Sequence, residues 1–248
     1  MFVGSDRTPV AALTARAREL WEHLAGTAAG LTPLSVAVSP RSYLCPPGWV
    51  GIVVIGDAFL ATAPDHETAR LLRQALSGLP AASLTGTDVL SRRLPIAESI
   101  GPAGLAYLDP ADFRPWTGDV AAPLEHAGLR HFLLAADADD LAESGIQEIT
   151  SPAFAIREHG QVVAAAGYRN WPRATAHLSV LTARAARGRG LARAAASAAV
   201  AHAIGEGKLS QWRARSEGSR RVARALGFRE LGSQVSICLA PAATSREQ

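Results

Sequence analysis

The residues best suited to chemistry lie in the segment 175–193, where positions 187–192 read Arg-Gly-Arg-Gly-Leu-Ala. The residues before this run, 175–181, alternate in polarity and predict a strand. The residues after it, 191–204, are rich in alanine, contain no proline and predict a helix. A strand, a basic glycine turn and a helix N-terminus leave backbone N–H groups unpaired at the positive end of the helix dipole. That arrangement suits a phosphate group.

The spacing of the two glycines indicates which kind of phosphate-containing ligand such a turn binds. A P-loop requires a Gly-Lys pair, and no lysine follows these glycines; a dinucleotide fingerprint requires a third glycine where Arg193 stands. The run instead resembles the Arg/Gln-x-x-Gly-x-Gly/Ala signature of the GNAT superfamily of N-acetyltransferases. The resemblance implies acetyl-coenzyme A (acetyl-CoA) as co-substrate. Its pyrophosphate would be held by the signature residues, which here are Arg187, Gly188, Arg189, Gly190, Leu191 and Ala192.

The flanking sequence extends the resemblance to residues 151–239. Two short runs around His159-Gly160-Gln161 predict a hairpin, and residues 216–228 resemble the superfamily's Asn-x-x-Ser to Leu-Gly-Phe ending. The order hairpin, strand, turn, helix, strand, helix, strand is the superfamily's order. It implies an α/β (α+β) fold with a GNAT-type mixed, mostly antiparallel sheet flanked by helices in the C-terminal half. An additional small N-terminal α/β domain is expected.

Charge is distributed unevenly along the 248 residues, which include 24 arginines and one lysine. Residues 1–174 have a net charge of −5 and residues 175–230 one of +8. The basic part therefore surrounds the glycine turn and suits a polyanionic cofactor. The proline-rich stretch 110–123 is predicted to be a linker. It separates an N-terminal α/β domain of unknown role, residues 1–114 (a degenerate GNAT-like domain or a cap), from a GNAT acetyltransferase domain, residues 115–248.

Two residues are candidate catalysts. His177 lies where many members of the superfamily carry a glutamate that activates the amine through water. An imidazole with its ordinary pKa of about 6.5 suits the same task, and an ordinary polar strand residue is the alternative. Glu143 is the second candidate; with the acidic segment 137–140 it either attracts a cationic amine or simply faces water. The strand end formed by Val180, Leu181 and Thr182 resembles the edge whose backbone pairs with the pantetheine arm.

The sequence departs from the superfamily pattern on its last predicted helix. Ser216 stands where relatives commonly carry asparagine. Ala223 stands where they carry the tyrosine that protonates the thiolate, and alanine has no proton to donate. Ser219 is the nearest hydroxyl on that helix and is expected to contact the cofactor. Trp212 is interpreted as a core residue, with packing against the pantetheine arm as the alternative.

These features predict an acetyl-CoA-dependent N-acetyltransferase that acts directly on an amine of a small molecule or of a protein N-terminus or side chain. No nucleophilic cysteine or serine arrangement is visible, so no covalent enzyme intermediate is expected. The alternative, favoured by Ala223, is a catalytically weak coenzyme A-binding sensor or partner-binding module. A nucleic-acid binder is disfavoured because the aromatic spacing of RNA modules is missing. No metal, no membrane segment and a cytoplasmic location are expected, and the oligomeric state is left open.

Overall fold

The computed structural model describes residues 9–33, 35–118 and 121–241. Contacts divide the chain into two compact units: unit 1 comprises Met1–Leu13 and Leu105–Glu230, and unit 2 comprises Thr14–Gly104 and Leu231–Gln248. The sequence suggested one division, between residues 114 and 115, and its assignment of separate domains stays a prediction. Within the described ranges, no helix combines the length and the apolarity that crossing a membrane requires.

The regular elements follow in chain order. The helices are α1 (Pro9–Ala25), α2 (His66–Leu76), α3 (Thr87–Leu90), α4 (Arg130–Leu134), α5 (Ala138–Ser144), α6 (Leu191–Gly205) and α7 (Glu217–Ala225). The strands are β1 (Val36–Val38), β2 (Val50–Ile55), β3 (Ala58–Ala63), β4 (Ile96–Leu108), β5 (Ala122–Leu124), β6 (Ala153–Glu158), β7 (Gln161–Trp171), β8 (Thr175–Thr182), β9 (Leu209–Ala214) and β10 (Arg229–Leu239). Short 3-10 turns connect several of them. Strands β4 and β10 each contribute residues to both units.

Unit 2 is a small α/β layer whose sheet has the order β1-β3-β2-β10. β2 and β3 form a hairpin that turns at Gly56-Asp57, β10 runs antiparallel to β2, and β1 runs parallel to β3. α2 begins where the side chain of Asp65 accepts a hydrogen bond from the N–H of Thr68 at 2.8 Å, a standard N-cap. Apolar side chains of β2, β3, α2 and β10 form its core.

Unit 1 contains a sheet of the order β9-β8-β7-β6-β5, in which only the β8–β9 pair is parallel. α6 connects β8 to β9 and buries a face of alanines against the sheet, where Tyr168 and Trp212 belong to the same core. Alanine side chains let a helix approach a sheet closely, which explains the apolar but small-residue composition of α6. The prediction of a mixed, mostly antiparallel sheet flanked by helices is confirmed.

The stretch 110–123, predicted as a linker, is packed in its described parts. The N–H of Arg114 donates to the carbonyl of Leu226 at 3.0 Å, and the carboxylate of Asp112 lies 2.8 Å from the guanidinium of Arg229. Phe113 and Trp116 pack against the core of unit 1. The described residues of this stretch therefore pack against unit 1 and do not form a free linker.

Candidate active site

The glycine turn adopts a backbone that only glycine tolerates well. Gly188 and Gly190 have φ angles of +78° and +80°, in the left-handed region. A Cβ at Gly188 would meet nothing within 4 Å, so this position faces open space. Gly190 is the N-cap of α6 and offers no side chain to the helix, so the first N–H groups of α6 lack a side-chain cap. The expected strand, turn and helix N-terminus are present, and the helix end suits an anion.

The two parallel strands next to this turn diverge. β8 and β9 pair only from Thr175 to His177 on one strand and from Leu209 to Gln211 on the other, although both strands continue beyond these residues. β7 accompanies β8 up to Thr182 on its opposite side. In the described part of the chain, the edge of β8 from residue 178 to 182 therefore has no strand partner on the β9 side.

A cavity of about 720 Å³ occupies this divergence and reaches the glycine turn. All of the residues predicted for the cofactor and for catalysis line it except Arg189: His177, Glu143, Val180, Leu181, Thr182, Arg187, Gly188, Gly190, Leu191, Ala192 and Ser219. The Arg189 guanidinium instead bonds the carboxylate of Glu158 at 3.0 Å, on β6. One cavity thus collects residues from four segments far apart in sequence.

Arg187, the first residue of the signature, is held at the rim of this cavity. Its Nη2 lies 2.7 Å from Asp140 Oδ2, and its Nε donates to the carbonyl oxygen of Thr182 at 3.3 Å. The hydrogen bond from Arg187 keeps the pKa of the Asp140 carboxyl below its ordinary value. Asp140 is therefore ionised near neutral pH, and an anion that binds Arg187 must compete with it.

His177 lies at the point where β8 and β9 separate. Its ring stacks on Trp171, with centroids 4.0 Å apart and planes 13° from parallel, and its Nδ1 is hydrogen-bonded to Gln211 Oε1. A carbonyl oxygen only accepts, so Nδ1 carries the proton and Nε2 keeps its lone pair. Burial, followed by the positive charge of Arg213, lowers the pKa of His177 to about 3. The expected ordinary pKa is therefore wrong: His177 is neutral at physiological pH.

Glu143 lies on α5 and also lines the cavity, but its carboxylate forms an ion pair with Arg215. Its side chain is 39% exposed, so the pair is accessible to solvent. A carboxylate paired with a guanidinium is a weaker proton acceptor than a free one, because the pair favours the ionised form. The acidic segment 137–140 is likewise engaged, since both Asp137 and Asp140 pair with Arg184.

Part of the chain matches a known protein family. Residues 151–233 match the model of the GNAT acetyltransferase family. The match covers about a third of the chain, and within that segment the sequence is similar to this family. No curated protein matches the sequence.

Solved structures with a similar fold include several GNAT proteins. One is a GNAT-family acetyltransferase, described as putative, from Novosphingobium aromaticivorans, with 18% identity, 59% of this chain and 67% of that chain covered, and a TM-score of 0.48. Another is a GCN5-related N-acetyltransferase from Kribbella flavida, with 21% identity, 66% of each chain covered and a TM-score of 0.46. A Salmonella typhimurium protein, described as a putative acetyltransferase with its cofactor acetyl-CoA, has 19% identity, coverage of 59% and 99%, and a TM-score of 0.32.

The GNAT pattern is incomplete on α7. Ala223, which stands at the position of the tyrosine, is 2% exposed and belongs to the core. Ser216 caps the helix, since its Oγ accepts from the N–H of Ser219 at 3.2 Å. Ser219 Oγ accepts from Trp212 Nε1 at 2.9 Å, which leaves the serine's own proton to be donated elsewhere. Trp212 is 4% exposed and packs edge-on against Phe228, as expected of a core residue, while also bordering the cavity.

Trp116, which the sequence did not indicate as a site residue, is a neighbour of the glycine turn. Its backbone N–H donates to Ser197 Oγ on α6 at 2.8 Å, and its ring would lie 3.2 Å from a Cβ added to Gly190. The guanidinium of Arg193 sits over the same ring, 5.4 Å from its centroid. The only signal in the sequence was a large aromatic residue among prolines, which by itself does not indicate a site.

Proposed function

We propose that the protein is an acetyl-CoA-dependent N-acetyltransferase that transfers the acetyl group directly to an amine of its acceptor. The observation that supports this most is the separation of β8 from β9 beside the glycine turn. Around one cavity lie a helix end without a side-chain cap, a strand edge without a β9 partner and a histidine with a lowered pKa. Acetyl-CoA has a part that fits each of the first two features: a pyrophosphate and an amide-containing arm.

The pyrophosphate would bind the turn from Arg187 to Ala192. The left-handed glycines keep side chains away, so backbone N–H groups and the dipole of α6 are accessible to the phosphates. Arg187 would exchange Asp140 for a phosphate oxygen, a charge-assisted contact that suits a guanidinium. Arg189 has a smaller part in this proposal than the sequence suggested, because its partner Glu158 holds it outside the cavity.

The pantetheine arm would extend along the free edge of β8 at Val180, Leu181 and Thr182. Backbone groups on that side have no β9 partner, and apart from the Thr182 carbonyl, which accepts from Arg187 Nε, they require hydrogen bonds from a ligand or from water. A backbone N–H of the same edge would stabilise the oxyanion that forms at the thioester carbonyl. Side-chain identity matters little for this main-chain role.

Acetyl-CoA supplies an acetyl group activated as a thioester. The amine nitrogen forms a bond to the carbonyl carbon, the C–S bond breaks, the amine gives up a proton and the sulfur gains one. Holding the amine close to the carbonyl provides much of the rate enhancement. His177 would accept a hydrogen bond from the amine at Nε2 and orient its lone pair. With a pKa of about 3 it is a weak proton acceptor, so the proton passes on to water.

Ser219 would donate its proton toward the departing sulfur or a water beside it. Its Oγ already accepts from Trp212 Nε1, and this bond fixes the oxygen at the cavity wall. Ala223, at the position of the tyrosine, cannot protonate a thiolate, so Ser219 would take that role on α7. Glu143 is the reserve base if its pair with Arg215 opens on acceptor binding.

A coenzyme A-binding sensor is the second candidate, favoured by the core position of Ala223 and by the low basicity of His177. Calorimetric titration with acetyl-CoA, run beside thioester consumption with a panel of primary amines, separates the two. Binding together with amine-dependent release of coenzyme A supports the enzyme. Tight binding without turnover of any amine supports the sensor, and failure to bind acetyl-CoA contradicts both.

A further inference from the structure

Arginines are concentrated on the glycine turn and on the two helices that follow β8 and β9. The segment 184–190, α6 and α7 together contain seven of them. In the part of the chain that the structure describes, five form ion pairs with carboxylates, namely Arg184, Arg187, Arg189, Arg220 and Arg224. Among the same described residues, Arg193 on α6 and Arg221 on α7 have no carboxylate partner, and both line the cavity.

The strand order brings these two arginines to the same end of the cavity. β8 and β9 are parallel and each is followed by a helix, so the N-termini of α6 and α7 lie at the same end of the pair. Arg193 lies in the first turn of α6, three residues after Gly190. Arg221 follows Gly218 by three residues, a spacing that places both on one face of α7, and both line the cavity. The two guanidinium groups therefore lie towards the glycine turn and away from the His177 end.

Trp116 holds the side chain of Arg193 in place. The guanidinium lies over the Trp116 ring, 5.4 Å from its centroid, and the backbone N–H of Trp116 donates to Ser197 Oγ, one turn further along α6. The Nε of Arg193 is buried and has no hydrogen-bond partner in the described part of the chain. A guanidinium that is held in position without a carboxylate keeps its hydrogen-bond donors available for another anion.

We propose that Arg193 and Arg221 bind the 3′-phosphate of coenzyme A, and that they distinguish this compound from its 3′-dephospho form. The inference rests on the proposed function, because it concerns a second part of the same co-substrate. The 3′-phosphate is attached to the ribose whose 5′-oxygen carries the pyrophosphate, so it lies one sugar away from the glycine turn. A phosphate monoester carries a charge of about −1.5 to −2 at neutral pH and three acceptor oxygens, which match two guanidinium groups.

The test compares two compounds that differ only in this phosphate, and it measures binding rather than turnover. Coenzyme A and 3′-dephospho-coenzyme A are titrated calorimetrically into the wild type, Arg193→Gln, Arg221→Gln and the double variant. The wild type is expected to bind coenzyme A about tenfold more tightly, as hydrogen bonds to charged groups predict. Each single variant should reduce this preference to about threefold, and the double variant to less than about twofold. The affinity for 3′-dephospho-coenzyme A should stay within about twofold of the wild type, because the pyrophosphate keeps its own contacts at the turn.

Arg224→Gln is the matched control. Arg224 also lies on α7, but its guanidinium pairs with Glu217 and it does not line this cavity. Its substitution removes the same charge and should keep the preference for coenzyme A. Equal binding of the two compounds by the wild type, or binding of neither, overturns the inference. An equal loss of affinity for both compounds in the variants also overturns it, because the arginines would then bind the pyrophosphate. A retained preference without acetyl transfer to any amine would instead contradict the proposed function alone.

Discussion

Arg187 and Asp140 form an ion pair at 2.7 Å across the entrance of the cavity, between the glycine turn and helix α5. The arginine that the GNAT signature assigns to the cofactor is therefore already occupied by a carboxylate. Any phosphate that binds there displaces a partner and approaches a negative charge. Removal of that carboxylate should strengthen cofactor binding.

Asp140→Asn is expected to raise the affinity for acetyl-CoA by up to about fivefold, because an exposed ion pair contributes at most about 1 kcal/mol. Asp139→Asn, a neighbouring acid on α5, changes the net charge equally and should have a smaller effect. In the Arg187→Ala background, Asp140→Asn should lose most of its benefit. Isothermal titration of the four variants measures this coupling, and additive effects would contradict the competition.

Gly188→Asp is expected to reduce acetyl-CoA affinity by more than about tenfold, through its bulk and its charge next to the phosphates. Gly207→Asp is the matched control: Gly207 has a φ of +68°, its Cβ would also meet nothing within 4 Å, and it lies at the other end of α6. Both variants should lose about 1–2 kcal/mol of stability from the left-handed backbone. Equal acetyl-CoA affinities of the two variants would contradict the binding of the phosphate at the glycine turn. Substitution of Gly190 would be a less specific test of phosphate binding, because it also disturbs Trp116.

The pH dependence of kcat/KM should follow the acceptor amine rather than His177. A histidine with a pKa of about 3 does not titrate in the working range, so no inflection at the ordinary histidine value is expected. Two acceptors whose amines differ in pKa should give profiles displaced by a similar amount. A common inflection at about pH 6.5 for both would mean that His177 titrates as the general base.

His177 should also make folding stability depend on pH. Its pKa is lower in the folded chain than in the unfolded chain, so the unfolded state binds more protons between the two values. The unfolding free energy therefore falls as pH decreases through that window, by up to about 1.4 kcal/mol per pH unit from this group. His177→Phe removes the effect but leaves Gln211 Oε1 without its donor. Urea titrations should find the variant less stable at pH 7.5 and closer to wild type at pH 4.5; a constant gap would contradict the lowered pKa.

Local patterns in the sequence predicted the parts of the site that are local in space. The two glycines, the strand before them and the helix after them are contiguous, so the turn was predictable from spacing and composition alone. The hairpin of β6 and β7 and the helix capped by Ser216 were predictable for the same reason. Each depends on interactions between residues only a few positions apart.

The environment of His177 was not predictable, because it depends on register. Its hydrogen-bond partner Gln211 lies 34 positions away, and the contact between Trp116 and Ser197 spans 81 positions. Alternation suggested which side chains share a face of β8, but not which residues of β7 and β9 lie beside them. The orientation of the Arg189 side chain was not predictable for the same reason, because its partner Glu158 lies on β6. Burial and neighbouring charge, which set the pKa, follow from such pairings.

Beside the unpaired edge of β8, the sheet has a gap in the position that a neighbouring strand would occupy. A ligand with alternating amide donors and acceptors can complete this sheet in the manner of β-augmentation. The amide hydrogens of Val180 and Thr182 face the gap, whereas those of Ser179 and Leu181 face β7. Hydrogen exchange should therefore be fast at every second amide of a strand inside the sheet and slow at the others. Filling the gap would abolish this alternation.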